Sequence, residues 1–249
     1  MVAAADSGLD AEKPLTEVER VVDTFVAPSK TFSDIRRNAS WWVPWLLMSV
    51  FGLAMVFVVD KKVTIETAYE NQMRLSPKQM DKIDAMPADQ KARAMQLGVT
   101  ITRDAAYSSP VLTIIFIGIM AGVLMATFNF GLGAEVKFMQ AMAVSMYAFL
   151  PSILKSLIAI GVISAGAGDT FTFDNPVASN LGGLVDGASS HFLYTILSSL
   201  DVFSIWTLVL TGIGYSCITR VKRGTCMGVV FGWFAVVTLV RAGFGALFA

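Results

Sequence analysis

Three ionisable side chains interrupt otherwise apolar stretches of this sequence: Lys155, Asp201 and Arg241. An unpaired charge inside a bilayer costs about 2.5–3.5 kcal/mol on insertion scales, so such residues are usually paired or functional. Asp201 could bridge both cations. That cluster predicts an ion-paired clamp between helices or, with one positive charge to spare, a site for a small anion or an anionic lipid headgroup. Alternatively, Lys155 and Arg241 extend to the membrane surface and form no cluster.

Other chemical motifs are missing from the sequence. The two cysteines and the single histidine, Cys217, Cys226 and His191, are too few for a structural zinc site, which needs about four ligands. The sequence contains no HExxH helix, no GxSxG nucleophile elbow and no phosphate-binding loop. We therefore expect no catalytic residues, no cofactor and no metal, and a protein that is not an enzyme.

The composition indicates a membrane protein. Hydrophobic residues make up 55% of the 249 residues and charged residues only 15%, against about 25% charged in soluble domains. The mean hydropathy is +0.62. The formal net charge is zero, so there is no basic excess that would favour a nucleic-acid partner.

Crossing a bilayer core of about 30 Å takes roughly 20 apolar residues in a helix. Five stretches meet this requirement, at about 41–59, 110–132, 141–164, 193–217 and 225–248. The predicted fold is therefore all-α, a bundle of five transmembrane helices. Lys155, Asp201 and Arg241 fall in the third, fourth and fifth spans at one common height in the outer half of the bilayer.

Two pairs of glycines have the spacing that lets membrane helices approach closely. Gly118 and Gly122 lie in the second span, and Gly228 and Gly232 lie in the fifth. We expect these faces to pack within the bundle, and a dimer face is the other interpretation.

The N-terminal region divides in two. Residues 1–13 are small and polar, which predicts disorder. Residues 14–40 form a cytoplasmic amphipathic segment with apolar side chains at helical spacing, namely Leu15, Val18, Val22 and Phe25. This segment either lies on the membrane surface with its apolar side down, or docks on the cytoplasmic face of the protein itself.

Residues 60–107, between the first two spans, are too polar to enter lipid. Ser76 followed by Pro77 is a helix-start signal, and Pro87 predicts a second helix ending near Gln96. We therefore expect a small extramembrane helical hairpin.

Basic residues predict the orientation, because cytoplasmic loops are enriched in Lys and Arg. The link 218–224 contains Arg220, Lys222 and Arg223, whereas 165–192 contains no Lys or Arg. The N-terminus and 218–224 are predicted in the cytoplasm, and 165–192 and the C-terminus outside. The segment 60–107 then lies outside despite its eight basic residues, which disagrees with the rule.

Three stretches resemble prokaryotic members of the Yip family, named for eukaryotic relatives that interact with Ypt/Rab GTPases. Each stretch joins two short motifs: PSKTFSDI at 28–35 before SWWVP at 40–44, VKFMQA at 136–141 before YAFLP at 147–151, and DVFSIW at 201–206 before LTGIG at 210–214. The resemblance runs from about residue 15 to the C-terminus and rests on the order and spacing of the motifs.

The resemblance implies a five-helix Yip-like membrane domain over 41–249, a cytoplasmic N-terminus and location in the bacterial inner membrane. Eukaryotic members look like scaffolds of vesicle traffic. This chain departs from them in its short N-terminal region, which lacks a Rab site, and in the insertion 60–107, so we do not transfer the trafficking role. We expect a non-enzymatic scaffold or accessory subunit whose partners are the lipid bilayer and a membrane protein or a second copy. The alternative is a transporter or channel component, or an anionic-lipid binder, that uses Lys155, Asp201 and Arg241.

Overall fold

The computed structural model describes residues 13–185, 187 and 190–248, without the side chains of the last two. The predicted disordered segment 1–13 therefore lies outside the described residues except for Lys13. The described part is helical and contains one isolated bridge between Asn180 and Asp201. Its α-helices are α1 (Glu17–Val26), α2 (Pro28–Asp34), α3 (Trp42–Lys62), α4 (Ile65–Arg74), α5 (Pro77–Asp84), α6 (Ala88–Tyr107), α7 (Ser109–Ala126), α8 (Phe138–Ala148), α9 (Pro151–Ser164), α10 (His191–Ser199), α11 (Val202–Ile218) and α12 (Arg223–Phe248).

Four helical segments in the described part of the chain are long and apolar enough to cross a membrane. They correspond to the first, second, third and fifth predicted spans, and run Trp42–Lys62, Ser109–Gly131, Phe138–Ser164 and Arg223–Ala246. A π-helical turn, Thr127–Gly131, completes the second segment, and α8 and α9 together form the third.

The predicted fourth span, 193–217, is not one continuous helix. The chain leaves the helical conformation at Leu200 and Asp201, so α10 has nine residues and α11 has 17. The interruption has a local cause, because the Asp201 side chain accepts hydrogen bonds from the first backbone N–H groups of α11. An aspartate in this role favours a helix start rather than a helix interior.

Helix α8 lies at the centre of the bundle. Every residue from Ala141 to Ala148 is buried, and α7 and α11 pack against it. The π-helical turn after α7 brings the Phe128 ring onto Tyr215 of α11, with the two ring centroids 4.5 Å apart. The alanines of α8, at 141, 143 and 148, are small enough to let neighbouring backbones approach.

Helix α2 is part of the core rather than a peripheral element. Phe32 is fully buried, and it packs against α11 where Gly214 leaves room for it. A Cβ atom at Gly214 would lie within 3 Å of the Val144 side chain. No residue other than glycine fits there without displacing α2 or α8.

The segment 60–107 forms three helices, α4, α5 and α6, so the predicted hairpin is wrong in its helix count. Helix α6 continues past Gln96 and through Gly98 to Tyr107, since no proline follows until Pro110. The Tyr107 hydroxyl donates a hydrogen bond to Asp60 of α3 at 3.0 Å.

The connections gather at two ends of the molecule. Asn71 of α4 donates to the carbonyl oxygens of Asp169 (2.7 Å) and Phe171 (3.1 Å), which joins 60–107 to the connection after α9. At the end where α11 leads into α12, the Arg223 side chain donates to the Ser29 hydroxyl at 3.1 Å. The N-terminal helices therefore reach the end that carries the short basic link.

Candidate functional site

Two of the three predicted intramembrane charges form an ion pair. The Lys155 ammonium lies 3.3 Å from the Asp201 carboxylate, and the two side chains are 20% and 2% exposed. Lys155 is in the second turn of α9, and Asp201 immediately precedes α11. The interruption in the fourth predicted span therefore places the Asp201 carboxylate against α9, which is part of the third span.

The Asp201 carboxylate also accepts three hydrogen bonds. One oxygen accepts the backbone N–H groups of Phe203 (3.0 Å) and Ser204 (3.1 Å) at the start of α11. The other accepts the Ser179 hydroxyl, and the backbone N–H of Val202 donates to the Ser179 carbonyl at 3.1 Å. With Lys155 added, four donors surround the carboxylate, which favours the clamp interpretation over an open ligand site.

Arg241 does not join this pair. It lies exposed on α12 and makes no ion pair with Asp201, while the next residue, Ala242, is fully buried. Because adjacent helical residues point about 100° apart, α12 turns Arg241 away from the bundle. The three-charge cluster is therefore not formed in the described part of the chain, and the positive charge expected for an anion is not beside Asp201.

The predicted packing glycines face open space. A Cβ atom added at Gly118, Gly122, Gly228 or Gly232 would meet no other atom within 4 Å. The expectation that these residues pack inside the bundle is therefore not met, and contact with a second molecule stays a prediction. Closely packed glycines lie elsewhere, among them Gly212 and Gly214 on α11, where Gly212 meets Met227 and Gly214 meets Val144.

A second ionic cluster, which sequence reasoning missed, joins α1 to α2. The Arg20 guanidinium contacts one carboxylate oxygen of Asp34 through Nη2 (2.6 Å) and Nε (2.8 Å). Arg20 is 2% exposed and Asp34 is 7% exposed. A buried pair is stable only when its remaining hydrogen-bonding groups find partners.

Further contacts around the pair come from α1, α2 and α8. Glu17 lies 3.7 Å from the guanidinium and accepts a 2.6 Å hydrogen bond from the Tyr147 hydroxyl of α8. The hydroxyls of Thr24 and Thr31 both donate to the Arg20 carbonyl, at 2.7 and 2.9 Å. The cluster therefore fastens the N-terminal hairpin to the centre of the bundle.

The start of α1 is closed by a reciprocal cap. The Thr16 hydroxyl accepts from the Glu19 backbone N–H at 3.2 Å, and the Thr16 backbone N–H donates to the Glu19 carboxylate at 2.8 Å. Hydrogen bonds from the backbone and side chain of Thr16 hold the pKa of the Glu19 carboxyl below its ordinary value. A sequence signal for this cap existed, since Thr followed three residues later by Glu is the capping-box pattern.

Neither of two clefts on the surface involves the Lys155–Asp201 pair. One, of about 260 Å³, lies beside the start of α1 and is lined by Lys13, Lys30 and Arg37 among others. The other, of about 370 Å³, lies between α4 and α6 and is mostly apolar. In the described residues, no group of three or more His, Cys, Asp or Glu side chains is arranged to hold a metal ion.

Comparison with known proteins places these features in a family context. Residues 22–244 match the Yip1 domain family model. The "Membrane protein YknW" of Bacillus subtilis (strain 168) is 26% identical over 219 residues, which cover 84% of this chain and 80% of that protein. No solved structure matches the chain.

Proposed function

From the premise that this chain belongs to the Yip1 domain family of membrane proteins, we propose that it is a non-enzymatic membrane scaffold or accessory subunit. One observation carries the proposal. The Lys155–Asp201 and Arg20–Asp34 pairs are engaged within the chain itself, whereas the small-residue faces of α7 and α12 remain open. Such a protein acts through its helix surfaces, because its two buried ion pairs are already formed within the chain.

The proposed arrangement has five crossings. In it, α10 and α11 cross the membrane together despite the interruption at Asp201, with the N-terminus in the cytoplasm, the C-terminus outside and the protein in the bacterial inner membrane. The basic link with Arg220, Lys222 and Arg223 supports this orientation. So does the hydrogen bond between Arg223 and Ser29, which keeps the N-terminal helices at the same end as that link.

The proposed partner is a membrane protein or a second copy, held against the open faces of α7 or α12. Gly228 and Gly232 are both exposed on α12, so another helix could approach that backbone closely. Larger residues at these positions would prevent this approach without disturbing the chain's own packing, since no described atom lies within 4 Å of an added Cβ.

Copurification tests the proposal. The full-length chain is extracted from its native membrane into lipid-containing polymer discs, and bound proteins are quantified by mass spectrometry. A stoichiometric membrane-protein partner or a defined oligomer supports the scaffold, and a chain recovered only as a monomer contradicts it. Gly228→Leu with Gly232→Leu should lose the partner if α12 is the interface, and Val237→Leu on an exposed position of the same helix is the matched control.

One observation favours a second candidate, a small transporter or channel component. Ion sites in transporters often use interrupted helices with a buried acidic residue, as at Asp201. Asp201→Asn keeps a helix-capping side chain but removes the charge. Transport is supported if the wild-type protein shows solute flux into proteoliposomes and the folded Asp201→Asn variant does not. Wild-type protein without flux would support the scaffold.

A further inference from the structure

Helix α1 turns Arg20 and Thr24 towards the protein, flanked by the partly buried Val21 and Phe25. Arg20 and Thr24 are 2% and 0% exposed, whereas Val18, Val22 and Val26 are 73%, 53% and 73% exposed. The three valines are spaced four residues apart, so they form a single stripe along the helix. We call Val18, Val22 and Val26 the valine stripe.

This orientation is the reverse of what water favours. An amphipathic helix docked on a protein surface in water buries its apolar side, since each Å² of apolar surface removed from water contributes roughly 25 cal/mol. In lipid the preference is inverted, because hydrocarbon solvates apolar side chains and charged groups must pair inside the protein. The Arg20–Asp34 pair is buried in the way that a lipid environment requires.

The contacts of α1 point to the same environment. Glu17 meets Tyr147, the tenth residue of the 27-residue apolar segment Phe138–Ser164. Phe25 packs edge-to-face on Trp206, the fifth residue of α11, with ring centroids 5.6 Å apart. Helix α1 therefore contacts the segment Phe138–Ser164 away from the end that joins the link 132–137. It contacts α11 away from the end that joins the link 219–222.

We propose that α1 is embedded in the membrane leaflet on the side of the 219–222 link, with the valine stripe against lipid acyl chains. The helix is then a buried part of the membrane domain rather than a segment resting on its surface. Exposed cations lie just beyond α2 at Arg36 and Arg37, where they can reach the headgroups of that leaflet.

The backbone of α1 suits this environment. In hydrocarbon, each unsatisfied backbone N–H costs several kcal/mol, so an embedded helix start needs a cap. The Thr16–Glu19 capping box pairs two N–H groups at the helix start, those of Thr16 and Glu19. At the other end the helical pattern continues to the Ala27 N–H, which donates to the Asp23 carbonyl (2.8 Å).

Lipid fits the stripe better than a protein partner does. Specific protein interfaces bury at least about 1,000 Å² in total, and three valine side chains on a ten-residue helix cannot supply that area. The exposed residue among them, Glu19, lies at the capped start of the helix, where its carboxylate accepts hydrogen bonds from Thr16. The inference does not depend on the scaffold role, because it concerns the chain's own placement in lipid.

Spin-label accessibility tests the placement. In a full-length chain whose two native cysteines are replaced by alanine, single cysteines at Val18, Val22 and Val26 are spin-labelled in lipid nanodiscs. Collision rates are measured with oxygen, which concentrates in hydrocarbon, and with nickel ethylenediaminediacetate, which stays in water. Val237→Cys on α12 is the lipid-facing control, and Gln90→Cys on α6 is the water-facing control.

We expect the oxygen-to-nickel collision ratio at the three stripe positions to equal that at residue 237 and to exceed that at residue 90 several-fold. A ratio like that of residue 90 would overturn the proposal in favour of a water-exposed helix. Low collision rates with both reagents would overturn it in favour of a protein covering the stripe. A label-free check is thermal unfolding in nanodiscs: Val22→Asp should lower Tm and Val22→Leu should not, and an unchanged Tm for Val22→Asp contradicts the placement.

Discussion

The Arg20 guanidinium lies 2.6 Å from the Asp34 carboxylate, and both side chains are buried between α1 and α2. This pair ties together two helices that are short by themselves, and Glu17 extends the connection to Tyr147 in the centre of the bundle. The N-terminal hairpin is therefore held in place by these ionic contacts together with the buried Phe32 of α2.

The first prediction concerns this pair. Asp34→Asn should lower the free energy of unfolding by about 3–5 kcal/mol, because it leaves the Arg20 charge buried without its counter-ion. Thermal unfolding of the full chain in detergent or nanodiscs measures the effect. Asp84→Asn removes an exposed pair with Lys91 and is the control, with an expected change of about 0–1 kcal/mol. Equal losses of unfolding free energy in the two variants would show that the buried pair stabilises the chain no more than the exposed pair does.

The second prediction compares the partners of the other ion pair. Asp201→Ala should destabilise the chain more than Lys155→Ala, because it also removes the cap of α11, which is worth about 1 kcal/mol. Asp201→Asn should fall between them, since asparagine can still cap the helix. The readout is the order of the three Tm values, and Asp201→Ala unfolding at the wild-type temperature would rule out the clamp.

The third prediction separates packed from open glycines. Gly214→Ala should cost about 1–3 kcal/mol, because the new methyl group would overlap Val144. Gly228→Ala should be neutral or slightly stabilising, since alanine favours a helix and meets no atom there. Chemical or thermal unfolding of the monomer checks both. A large loss in Gly228→Ala would mean that this face is packed after all.

The fourth prediction is a pH dependence at the start of α1. The pKa of Glu19 is lowered below its ordinary value of 4.5, so its stabilising contribution is present above that value and is lost as the pH falls through the folded pKa. A spin label at residue 18 should become more mobile as the cap opens in acid. Glu19→Gln, which cannot ionise, should abolish this pH dependence, and an unchanged acid transition in Glu19→Gln would assign the transition to another group.

The fifth prediction concerns sidedness. Cysteines introduced at Thr170 and Lys222 should be labelled by a membrane-impermeant maleimide from opposite sides of the membrane, residue 170 from outside and residue 222 from the cytoplasm. The native cysteines are first replaced by alanine, and each sample is compared before and after the membrane is opened. Labelling of both positions from one side would refute the five-crossing arrangement.

The membrane segments could be predicted from the sequence because hydropathy acts over a whole helix and needs no tertiary information. Four of the five predicted segments are helices within a few residues of the expected ends. The interruption of the fourth segment is harder to predict. Asp201 lies in an apolar stretch, where an aspartate can be either a charge inside a span or a helix cap that interrupts the span. Only the neighbouring Ser179 and Lys155 decide between these roles.

The ionic contacts were less predictable. Apolar neighbours and a common height predict Lys155, Asp201 and Arg241 as one cluster, whereas the structure pairs only Lys155 with Asp201. Height along a helix follows from residue number, but the direction of a side chain around the bundle depends on how the whole helix is rotated. Arg20 and Asp34 had no such contrast, because they lie among other polar residues of the N-terminal segment.

The sequence by itself determined that this is a membrane protein of the Yip1 domain family, that it is helical, and which residues of α1 share a face. The tertiary structure alone decided which of those faces turns inward, that Arg20 meets Asp34, and that Arg241 stays outside the cluster. The physical reason is that periodicity defines the two sides of a helix, whereas the inward side is set by distant residues that supply a partner for each buried group.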